Sequence, residues 1–213
     1  MTNDQRMQQA LDRILQERSA FLSQLEGLSQ GQVDFKPSAS SWSAGEVAQH
    51  VGLTEKMFQD NIRELVRSGQ ESRGATRKSS FKELPMAPWF LPKSLLQFDL
   101  IRLPFSIMAS LTPRVLQSFV LANPFFQIKT APSLEPKAGM PLAQLRKYLS
   151  ELRDATLKLL EPVRSWNLSR LRWEHPLMGT HDVYEMLELL ANHDQRHRMQ
   201  VQRIKANKDF PAS

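Results

Sequence analysis

The sequence predicts an all-α fold, a four-helix bundle, and three observations predict it. Four segments repeat apolar residues at three- and four-residue steps, the period of a helix with one buried face. Strand signals are few, and 8 Gly and 2 Tyr in 213 residues argue against a sandwich or barrel built on tight turns. Between the second and third helical segments runs a proline-punctuated stretch too long for a structureless loop in a compact domain, so it reads as an ordered crossover. Amphipathic helices of this number and length bury their apolar faces against one another.

The first helix is predicted from about Asn3 to Leu28. Met7, Leu11, Ile14, Leu15, Phe21, Leu22 and Leu25 supply its apolar face, and "GLSQGQ" ends it. The second starts at "SWSAGEVAQH". Ser43 followed by Glu46 is a capping-box pattern, with the serine oxygen accepting from the residue 46 N–H and the glutamate accepting from the Ser43 N–H. Val47, Val51, Thr54, Met57, Phe58, Ile62 and Leu65 carry one face of this helix to about Arg67. The third runs from Pro141, whose missing N–H suits a first helical position, to about Leu160, with Pro162 as a stop. The fourth runs from about Thr180, read as its cap, to Ala206, with Asp182 in the first turn where the helix dipole favours an anion.

The crossover occupies about residues 70–140. It begins with the polar, basic "SGQESRGATRKSS", read as flexible, and continues as an apolar stretch cut by prolines. Ser94–Leu103 and Pro113–Leu121 are each expected to form a helix of two or three turns. One domain spanning 1–213 is the reading that length supports.

Composition narrows function. There are no cysteines, which excludes disulfides, thiolate ligands and a cysteine nucleophile and fits a reducing, cytoplasmic compartment. "MTNDQRMQQALDR" has no apolar core and is not read as a signal peptide, and no run of about 18 uncharged apolar residues predicts a membrane span. The net charge is +6, but Arg73, Arg77, Lys78 and Lys82, like Arg196, Arg198, Arg203 and Lys205, lack the interleaved aromatics of a single-strand platform. No nucleic-acid partner is therefore expected. Nucleophile-elbow, phosphate-loop and dinucleotide motifs are absent.

Histidine carries the chemistry. His193 and His197 lie four residues apart in "LANHDQRHRMQ", so their Cβ atoms are roughly 6 Å apart on one helix face. Two imidazoles can then converge on one ion, although such a pair equally suits a solvated helix edge. Asp194 follows the first histidine, so the zinc-protease motif is absent. His50, beside the apolar face of the second helix, reads either as a core histidine or as a third ligand from a second helix. Three ligands leave an open position for water or substrate, as a catalytic ion requires. His175 and His181 fall in "EHPLMGTHD" and read as turn residues leading into the fourth helix, and Glu185 and Glu188 as a solvated helix face.

Three stretches together resemble the DinB/YfiT-like superfamily. "DFKPSASSWSAGEVAQHVGLTE" resembles the signature around its first metal histidine. "IKTAPSLEPKAGMPLAQL" resembles the lead into its third helix. "EHPLMGTHDVYEMLELLANHDQRHRMQV" resembles its closing signature. The resemblance covers most of the chain outside residues 70–125, and it implies an antiparallel four-helix bundle with a long connection between helices two and three. It further implies a divalent metal, nickel or zinc, held by His50, His193 and His197. Gln200 matches the family's trailing glutamine, behind the site, and Trp42 its packing tryptophan ahead of the second helix. The implied activity is that of a metal-dependent enzyme, a thiol S-transferase or related hydrolase acting on a small-molecule substrate with a low-molecular-weight thiol. A non-catalytic ligand- or partner-binding bundle is the alternative. The apolar stretch at residues 85–125 has no family counterpart in detail; it reads first as closing the core, and otherwise as a pocket lid, a homodimer contact or an interfacial membrane contact.

Overall fold

A computed structural model of the chain describes residues 1–69, 74–79, 132–175 and 179–212. They are mostly helical. Helix α1 is Asn3–Leu22, the short α2 is Gln30–Asp34, α3 is Ala44–Ser68, α4 is Leu142–Leu160 and α5 is Val183–Lys205. The described residues also contain three strands, β1 (Ala75–Lys78), β2 (Leu171–His175) and β3 (Gly179–Asp182).

Helix starts follow local chemistry. Four of the five helices among the described residues open with a capping box, in which a side-chain oxygen accepts from the N–H three residues on and the residue there reciprocates. The pairs are Thr2 with Gln5, Ser29 with Gln32, Ser43 with Glu46, and Asp182 with Glu185. The Ser43–Glu46 box is as read from the sequence. Asp182, not Thr180, caps the last helix, and Glu185 serves that cap rather than a merely solvated face. The first helix stops earlier than its apolar pattern suggests, and a tight turn at Ser23–Leu25 carries the chain toward α2.

The sheet corrects the all-α expectation. β1 pairs parallel with β2, Ala75 opposite Leu171 and Lys78 opposite Glu174. β2 pairs antiparallel with β3, Arg172 opposite Asp182 and His175 opposite Gly179. Alternation puts Leu171, Trp173 and His175 on the covered face of β2. Trp173 packs edge-on against Phe58 of α3 at 5.5 Å between ring centroids, and its indole N–H donates to Ser79 Oγ at 2.8 Å. Strands of four and five residues are too short for a two-residue period to stand out. β1 also finds its partner some ninety residues away. Residues 75–78, read as part of a flexible basic stretch, are thus ordered by pairing. The helices expected at Ser94–Leu103 and Pro113–Leu121 lie outside the described residues.

Helix α5 packs against α1 and α3, and α3 also packs against α4. The core falls into two clusters. In one, Phe58, Ile62 and Leu65 of α3 meet Val183, Met186 and Leu190 of α5. In the other, Val47 and Val51 meet Val201 and Ile204. The early half of α3 thus meets the late half of α5, so these two helices run antiparallel. A charged layer separates the clusters along all four long helices. Arg18 of α1 pairs with Asp194 of α5 at 2.9 Å and with Glu55 of α3 at 2.7 Å, and Arg153 of α4 pairs with the same two carboxylates at 3.2 and 3.0 Å. Thr156 donates to Glu55 at 2.7 Å. All five side chains are buried.

Candidate metal centre

His50 stands two turns into α3, between Val47 and Val51. His193 and His197 stand one turn apart on α5, flanking the charged layer through Asp194. Antiparallel packing brings the two sets together. His193 Nε2 lies 3.2 Å from His50 Nε2 and 3.1 Å from His197 Nε2. Among the described residues these three form the one group of histidine, aspartate or glutamate side chains whose donor atoms converge as metal ligands do, all within 4.8 Å. His50 and His197 are each 6% exposed.

Hydrogen bonds at the far side of two rings set their tautomers. His50 Nδ1 donates to the Leu134 carbonyl at 2.9 Å, from a tight turn at Pro132–Leu134 just ahead of α4. His197 Nδ1 donates to Gln200 Oε1 at 2.7 Å. Each bond leaves an Nε2 lone pair aimed at the other rings. His193 Nε2 can carry at most one proton, so three nitrogens meet with no more than one hydrogen among them. Among the described residues no charged group balances that convergence of lone pairs, and a cation does. Two nitrogens each about 2.0–2.1 Å from one ion in tetrahedral array lie roughly 3.3–3.4 Å apart, close to the spacing found.

Protonation reinforces the fit. Burial, then the charges of His197, His50 and Arg196, holds His193 well below the ordinary histidine range. His197 is pushed down to about 3 by burial and by His50, with its bond to Gln200 opposing. His50 is lowered chiefly by burial, and its bond to Leu134 opposes. Neutral imidazole is the form that ligates metals. Arg196, half-buried and next to His197 in the chain, adds its charge against protonation of all three.

The family model of the DinB superfamily matches residues 13–201, a span that holds all three histidines. The chain belongs to the DinB superfamily. No curated protein matches it. The three histidines of this DinB-like chain can hold a metal ion, in keeping with a superfamily of metal-associated proteins.

The remaining sequence candidates have definite places. Gln200 orients His197, as its position in the motif implied. Trp42 packs with its ring centroid 4.9 Å from that of His50 and rests on the second core cluster. His175 and His181 are not turn residues, because they lie on β2 and β3, buried and outside the triad. Two contributors escaped sequence reading. The Leu134 carbonyl is a backbone group and has no side-chain signature. The Arg18–Glu55–Arg153–Asp194 layer depends on four helices meeting. Its signal in the sequence is only a charged residue standing amid each apolar pattern.

Proposed function

We propose that this DinB-like chain is a divalent-metal-dependent enzyme, with His50, His193 and His197 as ligands to nickel or zinc. Its activity is that of a thiol S-transferase, or of a related hydrolase, on a small-molecule substrate. The scaffold is a single domain, an antiparallel four-helix bundle with a long crossover. The observation that carries this reading is the meeting of three neutral Nε2 atoms from two helices.

When bound, the ion supplies Lewis-acid charge that favours a thiol as thiolate and activates water. The chain's own groups do the rest. His50 and His197 are held in one tautomer by Leu134 and Gln200, and such orienting partners typically matter 10–100-fold in metal affinity. Three protein ligands leave room for a further one, the arrangement of a catalytic rather than a structural site. With no cysteine in the chain, the reacting sulfur has to arrive on a thiol cosubstrate, which suits a cytoplasmic setting.

Tag-free protein analysed for bound metal, and then assayed for conjugation of glutathione and of cysteine to monochlorobimane, tests this. One zinc or nickel per chain, lost with activity in His193→Ala, is expected. Protein that takes up neither metal, with a His193→Ala variant that melts unchanged, sinks the metal centre. A loaded centre that conjugates neither thiol removes the transferase assignment.

A further inference from the structure

Thr54 lies one helical turn beyond His50 on α3, and it has no role in the centre as described so far. It is 4% exposed, and its hydroxyl oxygen is covered and makes no hydrogen bond. A threonine within a helix ordinarily settles its hydroxyl on the carbonyl four residues back, here that of His50. Thr54 does not. A buried hydroxyl without a partner costs free energy that a valine of the same shape does not. The position therefore makes sense when something that is not part of the chain takes up the hydrogen bond.

Placement says where that partner sits. Residues four apart on a helix have Cβ atoms roughly 6 Å apart on one face, and side chains lean toward the helix N-terminus. Thr54 thus leans toward His50, on the strip of α3 that faces α5. His193 meets His50 across this interface, and Val51 and Phe58, before and after Thr54 on α3, each belong to the buried core. Helix geometry therefore places the hydroxyl toward the His50 end of this strip, the end at which the three histidines meet. Three neutral histidines add no charge to a divalent ion, and Arg196 adds positive charge to the same site. The favoured further ligand is an anion with a lone pair left to accept a hydrogen bond.

We propose that the Thr54 hydroxyl donates to an anionic ligand held at the open position of the ion, a thiolate, carboxylate or smaller anion. This rests on the metal reading above. The test uses cobalt(II) as the ion and azide as the anion, followed by the visible absorption of cobalt, in the full chain and in Thr54→Val and Thr54→Ser. All three are expected to bind cobalt alike. Thr54→Val binds azide about tenfold more weakly, the size of one hydrogen bond to a charged group, and Thr54→Ser stays near the parent. Thr54→Val should melt no lower than the parent, so that weaker azide binding is not a symptom of unfolding. Equal azide affinity in Thr54→Val and the parent overturns the role. So does a cobalt spectrum of the parent that ignores azide, or a cobalt affinity lost in Thr54→Val, which would make Thr54 a support of the histidines. A parent chain that takes up no cobalt is a separate failure, because it removes the metal centre and this role with it.

Discussion

His193 is the residue on which the centre turns, because its Nε2 touches both other rings. Its position was legible in the sequence for a physical reason. Helical spacing fixes which face a residue shares, and His193 and His197 share theirs whatever the rest of the chain does. His50 was legible as a candidate through its place beside an apolar face, but its tautomer was not, since the Leu134 carbonyl reaches it across 84 residues. His175 shows the limit from the other side. Read as a turn, it lies buried on β2, with its ring centroid 4.9 Å from that of Trp173. Burial, and then His181, push it down to about 4. Its folded pKa is below its unfolded one, so the unfolded chain binds more protons and stability is lost as pH falls from about 6.5 to about 4. A drop of two to three pH units corresponds to about 3 kcal/mol from this one group. Urea midpoints measured from pH 7.5 to 4.5 should fall less steeply in His175→Gln than in the parent. Parallel curves would show that His175 is not held neutral.

Among elements, the long helices were legible and their joints were not. Apolar periodicity and the Ser43–Glu46 box place α3 almost to the residue. The start of α5 was misplaced because Thr180 and Asp182 are both good caps, and the pairing of β3 with β2 decides between them by holding residues 179–182 extended. Gly52 is a joint of another kind. A glycine inside α3 looks like a weakness of the helix, yet a Cβ there would run into the ring of Tyr148 on α4. Close approach of α3 and α4 is its reason. Gly52→Ala gains about 1 kcal/mol of helix propensity and meets an overpacking cost of about 1–3 kcal/mol. We expect a net loss in the unfolding free energy, measured by chemical denaturation. A stabilised variant would mean that Tyr148 swings aside freely and that the contact does not set the helix spacing.

Across the whole molecule, four helices meet at a charged layer level with the triad. Arg18, Glu55, Arg153 and Asp194 each interrupt an apolar pattern in sequence, and together they balance two positive against two negative charges. No single helix reveals this, because the ion-pair partners of each member stand on other helices. Asp194 sits next to His193 in the chain, so the layer also fixes the rotation of α5 that turns both its histidines toward His50. Removing one member leaves a buried charge uncompensated. Arg18→Met should cost about 3–5 kcal/mol in chemical denaturation, far above a surface arginine such as Arg63 changed in the same way. A loss below about 1 kcal/mol would show that the layer is hydrated and loose.

The proposed chemistry requires that three histidines from α3 and α5 hold one ion. X-ray absorption at the zinc K-edge of the zinc-loaded, tag-free chain tests it most directly. Three imidazole nitrogens at about 2.0–2.1 Å are expected, with a further light-atom ligand completing the shell. A shell with one imidazole or none, or a chain that holds no zinc after desalting, would contradict it.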